Sequence, residues 1–275
     1  MNSKITLSVL GFGNMGQAIV GGLINKGIMS PEDISIYDPD EGKQKTAKEM
    51  KVDVCPLPEI LLEKSRVILV AVKPQVLKEA LFPIKQKLHE SVLLVSIVAG
   101  VPIEFYKKFL GVPNLKIIRS MPNTPALVGC GITGVSLSPE CGEEEVRVGK
   151  VIFSSVGEVV FVPEPQIDVV TAISGSGPAY FFYLCEGLIS AGESLGLDKE
   201  TAYKLAVQTL YGAGTLAKVS KELPETLRMR VTSKGGTTER AINYFQDKDF
   251  LGIVKEAIHS AYRRAKELGM QNLLE

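Results

Sequence analysis

A short apolar run, Ile5–Leu10, leads straight into Gly11-Phe12-Gly13-Asn14-Met15-Gly16, where a helical pattern begins at once. A G-x-G-x-x-G string in that setting leaves little choice of fold, because each glycine answers a different steric demand. The first permits a tight turn, the second lets the backbone approach a pyrophosphate, and the third lets helix and strand pack closely. Unpaired N–H groups and the dipole of the following helix then stabilise phosphate charge. The chain is expected to open with a strand–turn–helix unit that binds a dinucleotide through Gly11, Phe12, Gly13, Asn14, Met15 and Gly16.

The same rhythm continues to about residue 163. Short β-branched runs at Ile34–Tyr37, Val67–Val70, Val92–Ser96, Lys116–Arg119, Gly134–Leu137 and Glu158–Phe161 alternate with helical stretches such as Asn14–Asn25, Pro74–Lys87 and Glu143–Phe153. That alternation predicts an α/β fold, a Rossmann-type domain with a mainly parallel sheet over residues 1–163. Past Pro163 and Pro165 the strand-like runs stop and helical periods take over. Residues 164–275 are expected to form an all-α C-terminal domain. From Phe250 apolar residues recur every three to four positions through Leu268, and Gly269 is placed as a cap. The helix after Pro178 is apolar nearly all round, with Glu186, Ser190 and Glu193 its only polar stripe. Such a helix needs cover on most sides, and a second subunit is expected to supply part of it.

Composition narrows the partners. In 275 residues, 31 Lys and Arg balance 31 Asp and Glu, so charge gives no case for nucleic acid or an anionic membrane. Cys55, Cys130, Cys141 and Cys185 lack C-x-x-C spacing and only His89 and His259 are present, so neither a metal centre nor a disulfide framework is expected. The uncharged run Val169–Cys185 contains Gly175, Gly177 and Pro178, which suits a buried helix rather than a membrane span. A cytoplasmic protein is expected.

Loops at the carboxyl ends of parallel strands line the ligand crevice. One is Tyr37-Asp38-Pro39-Asp40, where a dinucleotide site places its ribose-reading group. A carboxylate there accepts from the 2′-OH and repels a 2′-phosphate, so Asp38 favours NADH over NADPH. Lys43 and Lys45 lie close by and could offset that charge, and a turn residue before Pro39 is the alternative reading of Asp38. Ala71-Val72-Lys73-Pro74 and Val98-Ala99-Gly100 carry small residues that leave room for a flat ring beside a cofactor. Pro74 equally suits a first helical turn, and Lys73 a solvated position. In Arg119-Ser120-Met121-Pro122-Asn123-Thr124-Pro125, Asn123 is a candidate contact for a nicotinamide amide.

Two further segments combine glycines with hydroxyls: Ser174-Gly175-Ser176-Gly177-Pro178 and Val231-Thr232-Ser233-Lys234-Gly235-Gly236-Thr237-Thr238. The second has the lysine of a P-loop but not its order, and no strand leads into it. A helix start with hydroxyl caps is the plainer reading.

Together with the opening fingerprint, Ala71–Pro74 and Met121–Pro125, these segments resemble pyrroline-5-carboxylate reductase from end to end. The resemblance implies reduction of 1-pyrroline-5-carboxylate to L-proline by NADPH or NADH, the last step of proline biosynthesis, in the cytoplasm. It implies homodimers with interlocked helical domains, commonly assembled into decamers, so that residues 164–275 would both bind substrate and dimerise. It also implies a frequent preference for NADPH, against the reading of Asp38. Ser176, Gly177, Thr232, Ser233, Gly235, Gly236, Thr237 and Thr238 become the substrate-binding set, with Thr238 catalytic. Two positions depart from the family pattern: Lys234 stands in place of a proline, and Arg230 in place of an amide or acid.

Physical chemistry gives that assignment a reason. Successive glycine N–H groups can converge in a nest, and the helix starting near Thr237 adds its positive end, so a small carboxylate fits without any arginine. The helix after Ser174 carries no lysine or histidine to serve as the base of a 2-hydroxy acid dehydrogenase. A protonated cyclic imine is already electrophilic at carbon and needs mainly positioning. The alternatives are a related two-domain reductase acting on another imine or a 2-hydroxy acid, and a dinucleotide-sensing regulator without turnover.

Overall fold

The structure is a computed structural model and describes residues 5–274. The apolar runs form strands β1 (Leu7–Leu10), β2 (Ile34–Tyr37), β3 (Asp53–Val54), β4 (Val67–Val70), β5 (Leu93–Ser96), β6 (Lys116–Met121), β7 (Gly131–Leu137) and β8 (Gly157–Phe161). They make one sheet in the order β3-β2-β1-β4-β5-β6-β7-β8. Every pairing is parallel except β6 with β7. Seven of these strands stand where the apolar runs predict them. β3 was not anticipated, because two residues are too few to display a period.

Alternate residues of one strand serve opposite faces of the sheet. Leu7, Val9 and Leu69 join a core with Ile19, Leu23, Ile152 and Phe153, whereas Leu10, Ile68 and Val70 join one with Leu77, Leu81, Ile103 and Tyr106. Cover on both faces is why the parallel strands read as continuous apolar runs. The strand order turns back between β1 and β4, which puts the ligand crevice at their carboxyl ends.

Helices α1 (Asn14–Asn25), α2 (Glu41–Glu49), α3 (Leu61–Lys64), α4 (Leu77–Lys85), α5 (Ile103–Leu110), α6 (Glu143–Ser154) and α7 (Ile167–Val170) accompany the sheet. A helical series follows: α8 (Gly177–Ser194), α9 (Lys199–Ser220), α10 (Pro224–Arg230), α11 (Thr237–Asp247) and α12 (Phe250–Leu274). By backbone contacts one compact unit reaches Ser176 and takes in the chain from Ala261, while the other is Gly177–Ser260. Residues 164–176 are held to the first of these units.

An ion-pair cluster explains why. Arg119, on β6 and only 5% exposed, donates to Glu164 at 3.3 Å and to Asp168 at 2.7 Å. Glu164 also accepts the Ile103 N–H at 2.7 Å. Replacing Arg119 by methionine strands two carboxylates against a low-dielectric wall. The expected cost is about 2 kcal/mol, under the roughly 3–5 kcal/mol of fully buried pairs, because Glu164 keeps water contact. A urea-unfolding midpoint unchanged in Arg119→Met would contradict the account.

Within the helical unit, α8 packs on α9 closely enough that a Cβ on Gly192 would lie 3.2 Å from the Ala202 Cβ. The cover expected for α8 is not supplied by its own chain. Only Gly177 and Cys185 of α8 are buried, while Phe182 is 58% and Tyr183 78% exposed. At the far end, Gly269 does not cap α12, which runs on to Leu274. The glycine instead serves packing: a Cβ there would stand 3.3 Å from the Gly100 carbonyl oxygen.

Candidate active site

The glycine fingerprint forms the turn that its spacing demands. Gly11 has φ +91°, and a Cβ on it would lie 2.9 Å from the Ala71 carbonyl oxygen. At Gly16 a Cβ would meet the Gly11 carbonyl oxygen at 3.0 Å, so α1 could not approach β1 with any larger residue. Gly13 is different, since nothing lies within 4 Å of its missing side chain. It is the N-cap of α1 and has no side-chain hydrogen bond to that helix. The first-turn N–H groups of Asn14, Met15 and Gly16 consequently find no acceptor within the helix, which suits an anion such as pyrophosphate.

Phe12 plays another part than the spacing suggests. Its ring is fully buried in the core, its N–H donates to Asp38 Oδ2 at 2.7 Å, and its carbonyl accepts from Gln17 Nε2 at 2.8 Å. It therefore shapes the loop from behind rather than offering a group to a ligand. Asp38 is correspondingly 4% exposed, and its other oxygen accepts the Asp40 N–H at 3.0 Å. The turn role and the site role of Asp38 coexist.

A cavity of about 510 Å³ opens at this point. Gly11, Gly13, Asp38, Ala71, Val72 and Lys73 line it, as the sequence predicts. Lys43 joins them from α2, and Val76, Glu79 and Ala80 close the far wall. That wall was not foreseen, because its residues read as an ordinary helix start. Pro74 takes the first-turn position of a short 3₁₀ segment, Pro74–Val76, from which α4 continues.

The remaining predicted cofactor positions lie outside that cavity. Gly100, at φ +72°, turns the chain after β5, with the α12 residues Leu268 and Gly269 against it. A buried network fixes the approach to this turn. Ser96 Oγ shares a 2.5 Å hydrogen bond with Tyr106 and accepts the Val98 N–H at 3.1 Å. Burial pushes the Tyr106 phenol far above its usual range, so it stays neutral. Asn123 has both ends of its amide engaged: Nδ2 donates to the Ser174 carbonyl at 3.1 Å and Oδ1 accepts the Ile132 N–H at 3.0 Å. Its observed contacts tie the loop after β6 to the segment at Ser174, where a turn of π-helix, Thr171–Gly175, precedes α8. A Cβ on Gly175 would lie 2.6 Å from the Met121 methyl, the end of a flexible side chain that would have to turn aside. The Ser176 N–H closes the turn on the Thr171 carbonyl at 2.8 Å.

In the helical unit, residues 231–236 link α10 to α11. Gly235 has φ +74°, and a Cβ on Gly236 would stand 2.6 Å from Ser233 Oγ. The hydrogen bonds revise the expected nest. Gly236 N–H donates to the Ser233 carbonyl at 3.0 Å, and Gly235 N–H donates to the Glu239 carboxylate at 2.7 Å. Both glycine N–H groups are thus used within the loop. The donors left are those of the first turn of α11, at Thr237, Thr238 and Glu239, which the helix itself does not pair. Sequence reasoning overlooked Glu239, although an acid at the third helical position is a known signal of a reciprocal cap. Thr232 Oγ1 donates back to the Arg228 carbonyl at 2.6 Å, while Thr238 is half-buried on the first turn. Arg230 pairs with Glu222 at 2.6 Å, which gives that unusual residue a structural partner. Nothing in the structure explains Lys234.

Comparison with known proteins matches the two parts of the chain to separate family models. Residues 164–268 match the family model for pyrroline-5-carboxylate reductase dimerisation, and residues 6–100 the model for NADP oxidoreductase, coenzyme F420-dependent. The chain is 39% identical over 267 residues to the pyrroline-5-carboxylate reductase of Synechocystis sp., covering 97% of this chain and 99% of that one. The chain belongs to the pyrroline-5-carboxylate reductase family. It is also 39% identical to the Pseudomonas aeruginosa member over 96% of this chain and 97% of that one. Among solved structures, the Coxiella burnetii pyrroline-5-carboxylate reductase superposes with a TM-score of 0.91 at 36% identity, covering 96% and 98% of the two chains. The Plasmodium falciparum pyrroline carboxylate reductase, solved with NADP bound, superposes at 0.86 with 32% identity over 97% and 98%. The two-part fold, a Rossmann-type sheet followed by helices, is the family's.

Proposed function

We propose that this protein is an oxidoreductase that converts 1-pyrroline-5-carboxylate to L-proline with NADH or NADPH, as a cytoplasmic homodimer. The observation that carries the reading is the near-full-length match to the family, beside a glycine cradle and a hydroxyl-rich loop that are both present in this chain. The cradle fits a dinucleotide on its own geometry: Gly13 leaves open space where a side chain would stand, beside unpaired first-turn N–H groups of α1.

A reduced nicotinamide held there would supply the hydride that reduces the carbon of the protonated imine, whose nitrogen keeps its proton and becomes the ring amine. The residues of the chain do the positioning. First-turn N–H groups of α11 hold the substrate carboxylate, with the helix dipole adding to their attraction. Gly235 and Gly236, with Glu239 closing the turn, set the direction of those N–H groups. The Thr238 hydroxyl accepts from the protonated ring nitrogen or donates to the carboxylate, and so orients the ring. Because the protonated imine is already electrophilic, orientation supplies most of the acceleration and no lysine or histidine is required.

The test is an assay of proline itself. Purified protein incubated with 1-pyrroline-5-carboxylate and either cofactor should release proline as NAD(P)H is consumed. Consumption with a 2-hydroxy acid's keto form but not with the imine would favour the related-reductase reading, and binding without turnover would favour a sensor.

The uncovered apolar face of α8 supports the homodimer, as isolated surfaces of that kind mark interaction sites. Light scattering at micromolar concentration is expected to give at least two chains per particle, and a mass of ten would indicate the larger assembly. A monomer would overturn the reading of α8.

A further inference from the structure

We infer that Lys43, acting against Asp38, is the residue by which this chain selects between NADH and NADPH. The inference rests on the reading of the 510 Å³ cavity as a dinucleotide site.

Asp38 stands at the end of β2, in the wall of that cavity, with its carboxylate almost wholly withdrawn from water. Oδ2 accepts from the Phe12 N–H at 2.7 Å and from Lys43 Nζ at 3.4 Å, whereas Oδ1 accepts only the Asp40 N–H at 3.0 Å among these contacts. A carboxylate oxygen accepts two hydrogen bonds, so Oδ1 retains room for one hydroxyl donor such as a ribose 2′-OH. The bond to Phe12 fixes the carboxylate, and it cannot rotate out of the way of a larger group. A 2′-phosphate brought to the same place meets a fixed negative charge.

Lys43 is the compensating group. Its ammonium lies 3.4 Å from Asp38, beyond the roughly 2.7–2.9 Å of a tight charge-assisted bond, and its side chain is 40% exposed. It is therefore free to turn from Asp38 to an incoming phosphate. Its own backbone is not free, because the Lys43 N–H donates to the Asp40 cap at 3.0 Å and anchors the first turn of α2. Lys73 and Glu79 also line the cavity, but Lys43 is the lysine bonded to Asp38. With a hydroxyl in place Lys43 neutralises Asp38, and with a phosphate in place it pairs the phosphate. One site then accepts either cofactor, with the ratio set by the lysine.

Fluorescence titration with NADH and with NADPH tests this without any turnover. Relative to the unmodified protein, Lys43→Met is expected to raise the ratio of Kd for NADPH to Kd for NADH by about tenfold, the equivalent of one lost charge contact. Lys43→Arg should keep that ratio within about threefold. Asp38→Asn, whose amide oxygen still accepts the Phe12 N–H, should lower it by about tenfold. The kcat/KM ratio with 1-pyrroline-5-carboxylate should follow the same order. A Lys43→Met protein that keeps its circular dichroism yet weakens both cofactors equally would overturn the assignment, as would a ratio that moves with Lys73→Met instead. An unmodified protein that binds neither dinucleotide would overturn the cofactor reading itself, and this inference with it. One that binds both but forms no proline would remove the proposed reaction and leave the Lys43 ratio to be judged on binding alone.

Discussion

Replacing Gly157 by alanine is expected to destabilise the fold by about 4 kcal/mol or more, a size reserved for a few well-defined faults. Gly157 begins β8 at φ +155°, where L-residues are rarely found, and a Cβ on it would stand near the Gly131 carbonyl group, with the carbonyl oxygen and carbon both inside contact distance. Gly131 is its register partner at the start of β7, and the Gly131 N–H donates to the Val156 carbonyl at 2.9 Å. The obstacle is backbone held in the ladder, and no flexible side chain can move aside. Gly131 is itself confined, since a Cβ there would meet Ala126 Cα at 2.9 Å. The first pair of the β7–β8 ladder would have to open, and Phe153 and Val156 of the adjoining core with it. For a chain of this length the loss corresponds to a fall in Tm of roughly 10 °C or more. A fall of less than about 3 °C in calorimetry would mean that the ladder opens there at little cost.

The second large effect is on chemistry. Thr238→Ala is expected to lower kcat/KM by about a hundredfold, within the usual range for loss of one positioned hydrogen-bonding group in the transition state. The threonine sits on the first turn of α11, beside the loop bent by Gly235 at φ +74° and closed by Glu239 on the Gly235 N–H at 2.7 Å. Its methyl and hydroxyl take no part in that closure, so the loop should keep its shape in the variant. Dinucleotide affinity belongs to the Gly11–Gly16 turn and should stay within about twofold, a shift smaller than one hydrogen bond. Stopped-flow or steady-state assays with both cofactors separate these terms. Turnover unchanged in Thr238→Ala would remove Thr238 from the reaction, and a matching loss of dinucleotide affinity would assign it to the cofactor instead.

Much of the architecture could be read directly from the residues. The helix at Asn14–Asn25 begins and ends where the fingerprint and apolar period place it, because the three glycines leave a single compact path from strand to helix. The central apolar runs named their strands for a similar reason: buried on both faces, they read as near-continuous apolar sequence interrupted by little more than a serine, as at Ser8 and Ser35. β3 escaped notice because a two-residue strand exists only by virtue of its neighbour β2. Gly269 was misread because a glycine that ends a helix and one that lets a helix touch a loop look alike in sequence.

At the candidate site, residue types were legible and hydrogen-bond partners were not. The sequence by itself determined that a strand–glycine turn–helix unit opens the chain, that the sheet is mainly parallel, and that hydroxyls and glycines cluster before α11. These follow from local sterics and from periodicities of two and 3.6, which neighbours in the chain express without help. Only the tertiary structure decided that the Phe12 N–H belongs to Asp38, that the Gly235 N–H belongs to Glu239, and that Arg119 binds residues 164 and 168 to the sheet. Each of these turns on which donor meets which acceptor across a fold. Several acceptors compete for every N–H group, and the ångström-scale placement that chooses among them is set by packing far from the residues concerned.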